Sequence, residues 1–347
     1  MTHTPAPLRV VQWATGTIGG YALRSVHAHP GLELAGVRVH SPGKVGRDAG
    51  EIAGGAPIGL AAVGTLDEVL ALRPDCVLYM PLTFDADEVC ALLAAGSNVV
   101  TTCGLFHHPA SAEPVLRERV AAACAAGGST LHSTGSSPGF ITEAVPLVLA
   151  SLQRELSGLV IDEYADLSRR DSPELLFDVM GFGREQAAVN EVLAPHMLAS
   201  FGPSLRLVGD AVGLPLDDVV AHAELATARG EVRIAAGTIP AGTVAAQRIT
   251  VSGLRGGAEL VGFRATWYCT RELATGWQLG DTGWHVSVRG DAPMEVDIRF
   301  AVPLERMAAV SPAFTANRAV NVVAAVCAAE PGIRSSVELP QIIPRLG

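Results

Sequence analysis

The sequence predicts an α/β protein in two parts: a doubly wound parallel sheet, followed by an α+β domain built on an antiparallel sheet. Three observations carry this. The 347 residues exceed one ordinary domain of about 100–200 residues and fit two. Over the first 140 residues short Val- and Leu-rich runs alternate with helical stretches, as in a parallel sheet covered on both faces. Beyond Pro138-Gly139 that alternation stops, and strand-like runs separated by turn signals follow one another.

Each element has a local reason. Leu8–Trp13 reads as a strand, Ile18–His29 as a helix closed by Pro30-Gly31, and Leu32–Val39 as a second strand. Leu66–Leu72 (helix), Asp75–Met80 (strand), Asp85–Ala95 (helix, stopped by Gly96) and Asn98–Thr102 (strand) follow. Glu113–Ala126 is a helix ended by Gly127-Gly128, and Thr130–Ser133 is one more strand. Ile141–Leu152 carries apolar residues at helical spacing. Arg248–Ser252, Leu260–Tyr268, Trp284–Val288 and the alternating Glu295–Val302 are strands of the second sheet. Ala316–Ala329 is a helix ended by Pro331-Gly332. The expected division is 1–140, 141–312, and a 313–347 tail returning to the first domain.

Composition removes whole classes of function. With 17% charged residues and 49% apolar ones the chain buries a large core and is not disordered. A net charge of −10 gives neither a nucleic-acid footprint nor a surface for anionic membranes. Of the 25 cations 24 are arginine, and Lys44 is the one lysine, which leaves almost no candidate for Schiff-base chemistry. The six cysteines are widely spaced, without a C-x-x-C, and read as reduced thiols of a cytoplasmic protein. No apolar run approaches the roughly 18 residues of a membrane span, and residues 1–7 lack a secretory apolar stretch.

Between the first strand and the first helix lies Ala14-Thr15-Gly16-Thr17-Ile18-Gly19. Rossmann-type dinucleotide folds need glycine at this turn so that backbone can approach a pyrophosphate, whose charge then rests on the helix N-terminus. Here the pattern is A-x-G-x-x-G, with Ala14 where a first glycine is usual. Nucleotide choice is read about twenty residues on, where NAD-selective sites place a carboxylate for the ribose 2′-OH. This chain has His40-Ser41, then Lys44 and Arg47; Glu33 lies at the wrong end of the strand. A hydroxyl and two cations suit a 2′-phosphate, so NADP is preferred, with NAD the alternative.

The run VVQWATGTIG, the stretches TTCGLFHHP (101–109) and HSTGSSPGF (132–140), and a tail with Thr315-Ala316, Asn321 and PGIRSSVELPQ resemble one family nearly end to end. These are the dihydrodipicolinate reductase-like NAD(P) oxidoreductases that include 2,4-diaminopentanoate dehydrogenase and the native amine dehydrogenases. The chain does not resemble dihydrodipicolinate reductase itself, whose histidine pair is followed by a catalytic lysine. The resemblance implies reductive amination: a carbonyl compound and ammonia become an amine, with hydride from nicotinamide. It implies a dinucleotide across the strand ends, substrate in the cleft between domains, and a nicotinamide held by Ser137, Pro138, Gly139 and Asn321. Pro81 and Cys103, just past two strand ends, join the cofactor-binding set. In relatives the 137–139 loop often reads N-P-G.

One departure matters more. Relatives show Gly-Glu-Phe where this chain has Gly104-Leu105-Phe106, and that glutamate handles ammonia and its protons. Leucine does neither. Reduction of a ketone leaves an alkoxide and wants a nearby acid, whereas a preformed imine can enter protonated and needs positioning more than acid catalysis. The expectation is therefore a C=N reductase on an amine-dehydrogenase scaffold acting on an apolar substrate. Ketone reduction and ammonia-dependent amination are the enzymatic alternatives, and a non-catalytic NADP sensor the other class.

Candidate groups each have a plain alternative. His107 and His108 are proton donors for a ketone or caps of the following turn, and not a metal pair, because zinc-like spacing of further ligands is missing. Glu143 lines the cleft or sits at a helix start for the dipole. Tyr164 is the acid for a carbonyl or a packing residue, sharing a strand face with Asp166 and opposite Glu163. Arg169-Arg170 grips a carboxylate or is a surface pair. Phe140, Phe177, Met180 and Phe182 form a substrate wall, joined by Thr315, or a core. Cys103 lines the site without the cationic partner of a nucleophilic thiol. An antiparallel sheet with one bare face predicts a homodimer through the second domain.

Overall fold

The computed structural model describes residues 6–186 and 190–346. The chain divides into two units, one of residues 1–140 with 311–347 and one of residues 141–310.

In the first unit a six-stranded parallel sheet has the order β14-β5-β4-β3-β1-β2. Its strands are β1 (Leu8–Trp13), β2 (Leu32–Arg38), β3 (Cys76–Tyr79), β4 (Asn98–Thr101), β5 (Thr130–Ser133) and β14 (Gly332–Ile333). Cys76–Tyr79 and Thr130–Ser133 are buried throughout, as continuous runs in a sheet covered on both sides must be. Alternation then sorts their side chains. Val11, Trp13, Val77, Tyr79, Val99 and Leu131 face the helices α4 (Ala86–Ala94) and α5 (Pro114–Gly127). Val10, Cys76, Leu78 and Val100 face α1 (Thr17–Ala28), α8 (Leu304–Asn321) and α9 (Val323–Cys327). Short helices α2 (Ala49–Ile52) and α3 (Leu66–Ala71) fill the connection after β2. Since β1 pairs with β2 on one side and β3 on the other, the carboxyl ends of β1 and β3 flank the point where strand order reverses. Ligands of open α/β sheets bind at that point.

The second unit carries a six-stranded sheet of order β13-β12-β6-β11-β10-β7. Its strands are β6 (Leu156–Asp166), β7 (Asp218–Thr227), β10 (Val244–Arg255), β11 (Ala258–Tyr268), β12 (Gly283–Gly290) and β13 (Met294–Arg299), with a small β8 (Val232–Ile234) and β9 (Gly237–Ile239) hairpin. The long helix α7 (Asn190–Ala211) packs on one face, where Phe201 stacks on Phe263 at 4.1 Å.

Two local expectations change and one holds. The second sheet is mixed, because β6 runs parallel to β11 while every other pair is antiparallel. Period-two alternation reports a strand and its faces but not its direction. The expected helix 141–152 is present, opening in wide helical turns that reach Ala144 and continuing as α6 (Val145–Ala150). The non-helical backbone lies before it, at Ser137, Pro138 and Gly139, the last at φ 119°, and Pro146 sits in the first turn of α6. The C-terminal helix begins at Leu304 rather than Ala316 and continues through Pro312.

Candidate active site at the carboxyl ends of the parallel strands

The glycine turn is built from its backbone outward. Ala14 adopts φ 71°, the left-handed conformation glycine takes more cheaply, which explains the glycine usual at this place. A Cβ on Gly19 would stand 2.1 Å from the Ala14 carbonyl oxygen and 2.9 Å from Gln12 Nε2, so helix and turn meet only because it has none. Gln12 is fully buried and its Nε2 donates to the carbonyls of Trp13 (3.1 Å) and Ala14 (2.9 Å), holding the turn open. Gly16 is the N-cap of α1, with no side chain capping the first-turn N–H groups, and a Cβ there would meet nothing within 4 Å. Uncapped donors facing open space suit a pyrophosphate, and this is the test a dinucleotide must pass here. The residues present fit it.

At the other strand ends the chain builds a floor. Cys103 Sγ donates to the Pro81 carbonyl at 3.6 Å, tying the loop after β4 to the loop after β3, and burial pushes its thiol up, away from nucleophile behaviour. After β5, the peptide between Ser137 and Pro138 is cis. A Cβ on Gly139 would lie 3.5 Å from His107 Cε1, so the 104–108 and 135–139 loops are packed together. Ser136 Oγ and Thr315 Oγ1 of α8 share a hydrogen bond of 2.7 Å, and Ser136 N–H donates to the same Thr315 oxygen at 3.3 Å. Thr315 is thus a brace for this loop. Ser137 Oγ is buried with no hydrogen-bond partner among the described residues, an orphaned group of the kind a bound ligand satisfies. The Arg318 guanidinium lies 5.5 Å from the Phe140 ring centre. Asn321 closes α8, whose Ala316, Ala319 and Val320 pack with Met80 and Ile18.

The acid candidates separate. Leu105 is 43% exposed on the single turn Gly104–Phe106, whereas His107 is 1% exposed behind Gly139. His108 Nδ1 is 2.5 Å from Ser111 Oγ, while the turn that follows, Pro109–Ser111, has no side-chain cap.

Two cations border the glycine turn near the end of β2. Lys44 Nζ reaches back to Thr15 Oγ1 at 3.2 Å and to its carbonyl at 3.4 Å. Arg38, the last residue of β2, is a site neighbour that sequence reasoning misses; the available signal is a cation closing an apolar strand. Its guanidinium lies 4.6 Å over the Trp13 ring, pairs with Glu88 at 3.3 Å and touches His40 Nδ1. Ser41 and Arg47 are exposed in the loop that follows.

The remaining candidates belong to the second unit. Glu143 is 1% exposed and accepts a 2.5 Å hydrogen bond from Ser204 Oγ of α7, so it is a buried, bonded carboxylate rather than a helix-dipole residue at the surface. Tyr164 is half-buried, its hydroxyl pushed up by burial, and the chain at Gly280 lies against its ring. Glu163 points to the other face, accepting from Trp267 (3.2 Å) and Trp284 (2.8 Å). Phe177 and Met180 pack at the edge of the core around Leu176 and Phe182. Arg169 pairs with Glu305 at 3.5 Å. Arg170 Nε is buried without an acceptor among the described residues.

Comparison with known proteins agrees with this layout. Residues 183–345 match the family model for the 2,4-diaminopentanoate dehydrogenase C-terminal domain. An amine dehydrogenase of Streptomyces virginiae is 30% identical, covering 98% of this chain and 99% of its own. A 4-hydroxy-tetrahydrodipicolinate reductase of Anaeromyxobacter dehalogenans is 45% identical, but over only 18% of this chain and 23% of its own. The solved structure of the amine dehydrogenase from Mycobacterium smegmatis has the same fold, with a TM-score of 0.77 at 20% identity over 99% of this chain and 98% of that one. A full-length relative at that identity, together with a glycine turn and strand-end loops suited to a dinucleotide, shows that the chain belongs to the amine dehydrogenase family and is an oxidoreductase acting on CH–NH2 groups.

Proposed function

We propose that this enzyme uses NADPH to reduce the C=N bond of an imine derived from an apolar carbonyl compound. The observation that carries the reading is Leu105: the exposed side chain at the end of β4 is aliphatic where the family resemblance places a glutamate. A nicotinamide dinucleotide is the redox partner, and when bound it supplies one hydride to the substrate carbon.

This chain's own residues do the rest. First-turn N–H groups of α1 and the Gly16 backbone hold the pyrophosphate, with Gly19 allowing the close approach. Ser137, Pro138 and Gly139, braced by His107 and Thr315, position the nicotinamide end, with Asn321, Pro81 and Cys103 beside it. Leu105 presents apolar surface and excludes water; it holds no proton. An imine that arrives protonated becomes a neutral amine on accepting hydride, so no acid is required of the site. A ketone or free ammonia asks for a proton-transfer group that Leu105 is not. Lys44 beside Thr15, and the basic groups at the end of β2, favour NADP over NAD.

The test is NADPH oxidation with a cyclic imine, its matched ketone, and that ketone with excess ammonium. Turnover of the imine, unaffected by ammonium, is expected. Ketone turnover regardless of ammonium makes the enzyme a ketoreductase and returns attention to Tyr164, while a strict need for ammonium makes it an amine dehydrogenase in the full sense.

We also propose a homodimer through the second sheet. α7 covers one face, and the other presents a half-buried polar row of Asp162, Tyr164, Arg264 and His285. A mass near twice 35.9 kDa at micromolar concentration is the expected result of light scattering, and a monomer would contradict it.

A further inference from the structure

The end of β2 holds a group whose arrangement goes beyond a general preference for phosphate. In extended backbone residues two apart share a face, so Arg38 and His40 project together. Arg38 is 12% exposed in its side chain, stacked over Trp13, with Nε buried and lacking an acceptor among the described residues. The one carboxylate paired with it among the described residues, Glu88, already accepts the Tyr79 hydroxyl at 2.7 Å and an Arg38 Nη2 hydrogen at 3.3 Å. A guanidinium only donates. Its contact with His40 therefore requires the Nδ1 lone pair, which leaves His40 neutral with its proton on Nε2. The surroundings act in the same direction: partial desolvation and then the charge of Arg38 hold the His40 imidazole below its ordinary value, against a weaker opposing effect of Glu88 from α4.

We propose that Arg38 and His40 form a proton-linked seat for the 2′-phosphate of NADP(H), in which His40 accepts one proton from solvent when the phosphate arrives. This rests on the NADP reading above. In the free enzyme the imidazole lone pair faces a guanidinium. Beside a phosphate dianion both side chains become donors, and Lys44, anchored on Thr15, adds a third cation nearby. Nothing covalent changes: Nδ1 gains a proton, and the Arg38–His40 contact is exchanged for two contacts to phosphate oxygens. Because the free His40 titrates low and the occupied one higher, binding takes up a proton between the two values. NADPH affinity therefore falls as pH rises through that window, by at most about tenfold per pH unit for one proton. The phosphate's own second ionisation, near 6, has the opposite sign and is complete above neutrality.

The experiment is fluorescence titration of the full-length protein with NADPH and with NADH from pH 7 to 9 at fixed ionic strength. The NADPH Kd is expected to rise with pH, by no more than about tenfold per pH unit, while the NADH Kd stays level. In H40Q the NADPH Kd is expected to be weaker at pH 7 and independent of pH. Since His40 is exposed, its replacement leaves the core untouched. K44Q is expected to weaken NADPH at every pH and keep the slope. Tighter binding of NADPH than NADH with a level pH profile in the wild type overturns the proton link and leaves the NADP reading standing. An unchanged slope in H40Q overturns the assignment to His40. Equal affinity for the two nucleotides at pH 7 overturns the NADP reading and this seat with it.

Discussion

Gly19→Ala is expected to weaken dinucleotide binding by at least a hundredfold and to destabilise the parallel-sheet unit, whereas Gly16→Ala lowers affinity alone. The difference lies in what each added methyl meets. At Gly19 it would stand 2.1 Å from the Ala14 carbonyl oxygen and 3.0 Å from the Ala14 carbonyl carbon, both backbone atoms. Relief requires moving α1 away from β1 or refolding a turn that already holds Ala14 at φ 71°. Overpacking of a tight core costs about 1–3 kcal/mol, and a backbone clash lies at or above the top of that range. A hundredfold in Kd is about 2.7 kcal/mol. At Gly16 the methyl meets nothing within 4 Å, so the protein folds, but the methyl occupies the space over the uncapped helix N-terminus. Calorimetric titration with NADPH beside thermal melts separates the two. A Gly19→Ala protein with native Kd and Tm would show that the turn is not the phosphate site.

Leu105→Glu is expected to confer ammonium-dependent reduction of a ketone, raising that rate about a hundredfold or more over the parent. General acid–base groups contribute typically about 10²–10⁴ in rate. The position accepts a carboxylate without structural cost: Leu105 is 43% exposed, while its neighbours Phe106 and His107, at 0% and 1%, anchor the turn in the core. The turn is held from beneath by the Cys103 contact to Pro81. A new acid limb in the pH–rate profile with ammonium, absent in the parent, would identify the introduced carboxylate as the group responsible. A folded variant with no gain in the presence of ammonium would mean that the position is not the ammonia site. The parent's indifference to ammonium would then need another cause.

Much of the parallel-sheet unit is legible in the amino-acid sequence. Apolar runs such as Cys76–Tyr79 are local patterns whose length and composition encode burial on both faces, and the glycine turn is local too, since Ala14, Gly16 and Gly19 act on one another within six residues. Leu105 is readable as a departure only against the Gly-Glu-Phe of the family the chain resembles. The second unit is less legible, because strand direction depends on where the chain goes next. Residues that act across the sequence leave no local trace. Arg38 matters through Trp13, His40 and Glu88, the last of them 50 positions away, and Glu143 through Ser204, 61 positions away.

By itself, then, the sequence determined the parallel sheet and its glycine turn, because each is written in the spacing of neighbouring residues, while the aliphatic side chain at position 105 stands out only against the family resemblance. Only the tertiary structure decided that His108 meets Ser111, that Glu143 is a buried and bonded carboxylate, that Thr315 braces the 136–139 loop, and that Arg38 and Lys44 border the glycine turn. Those roles are set by long-range packing, which brings together side chains whose separation along the chain carries no periodic signal.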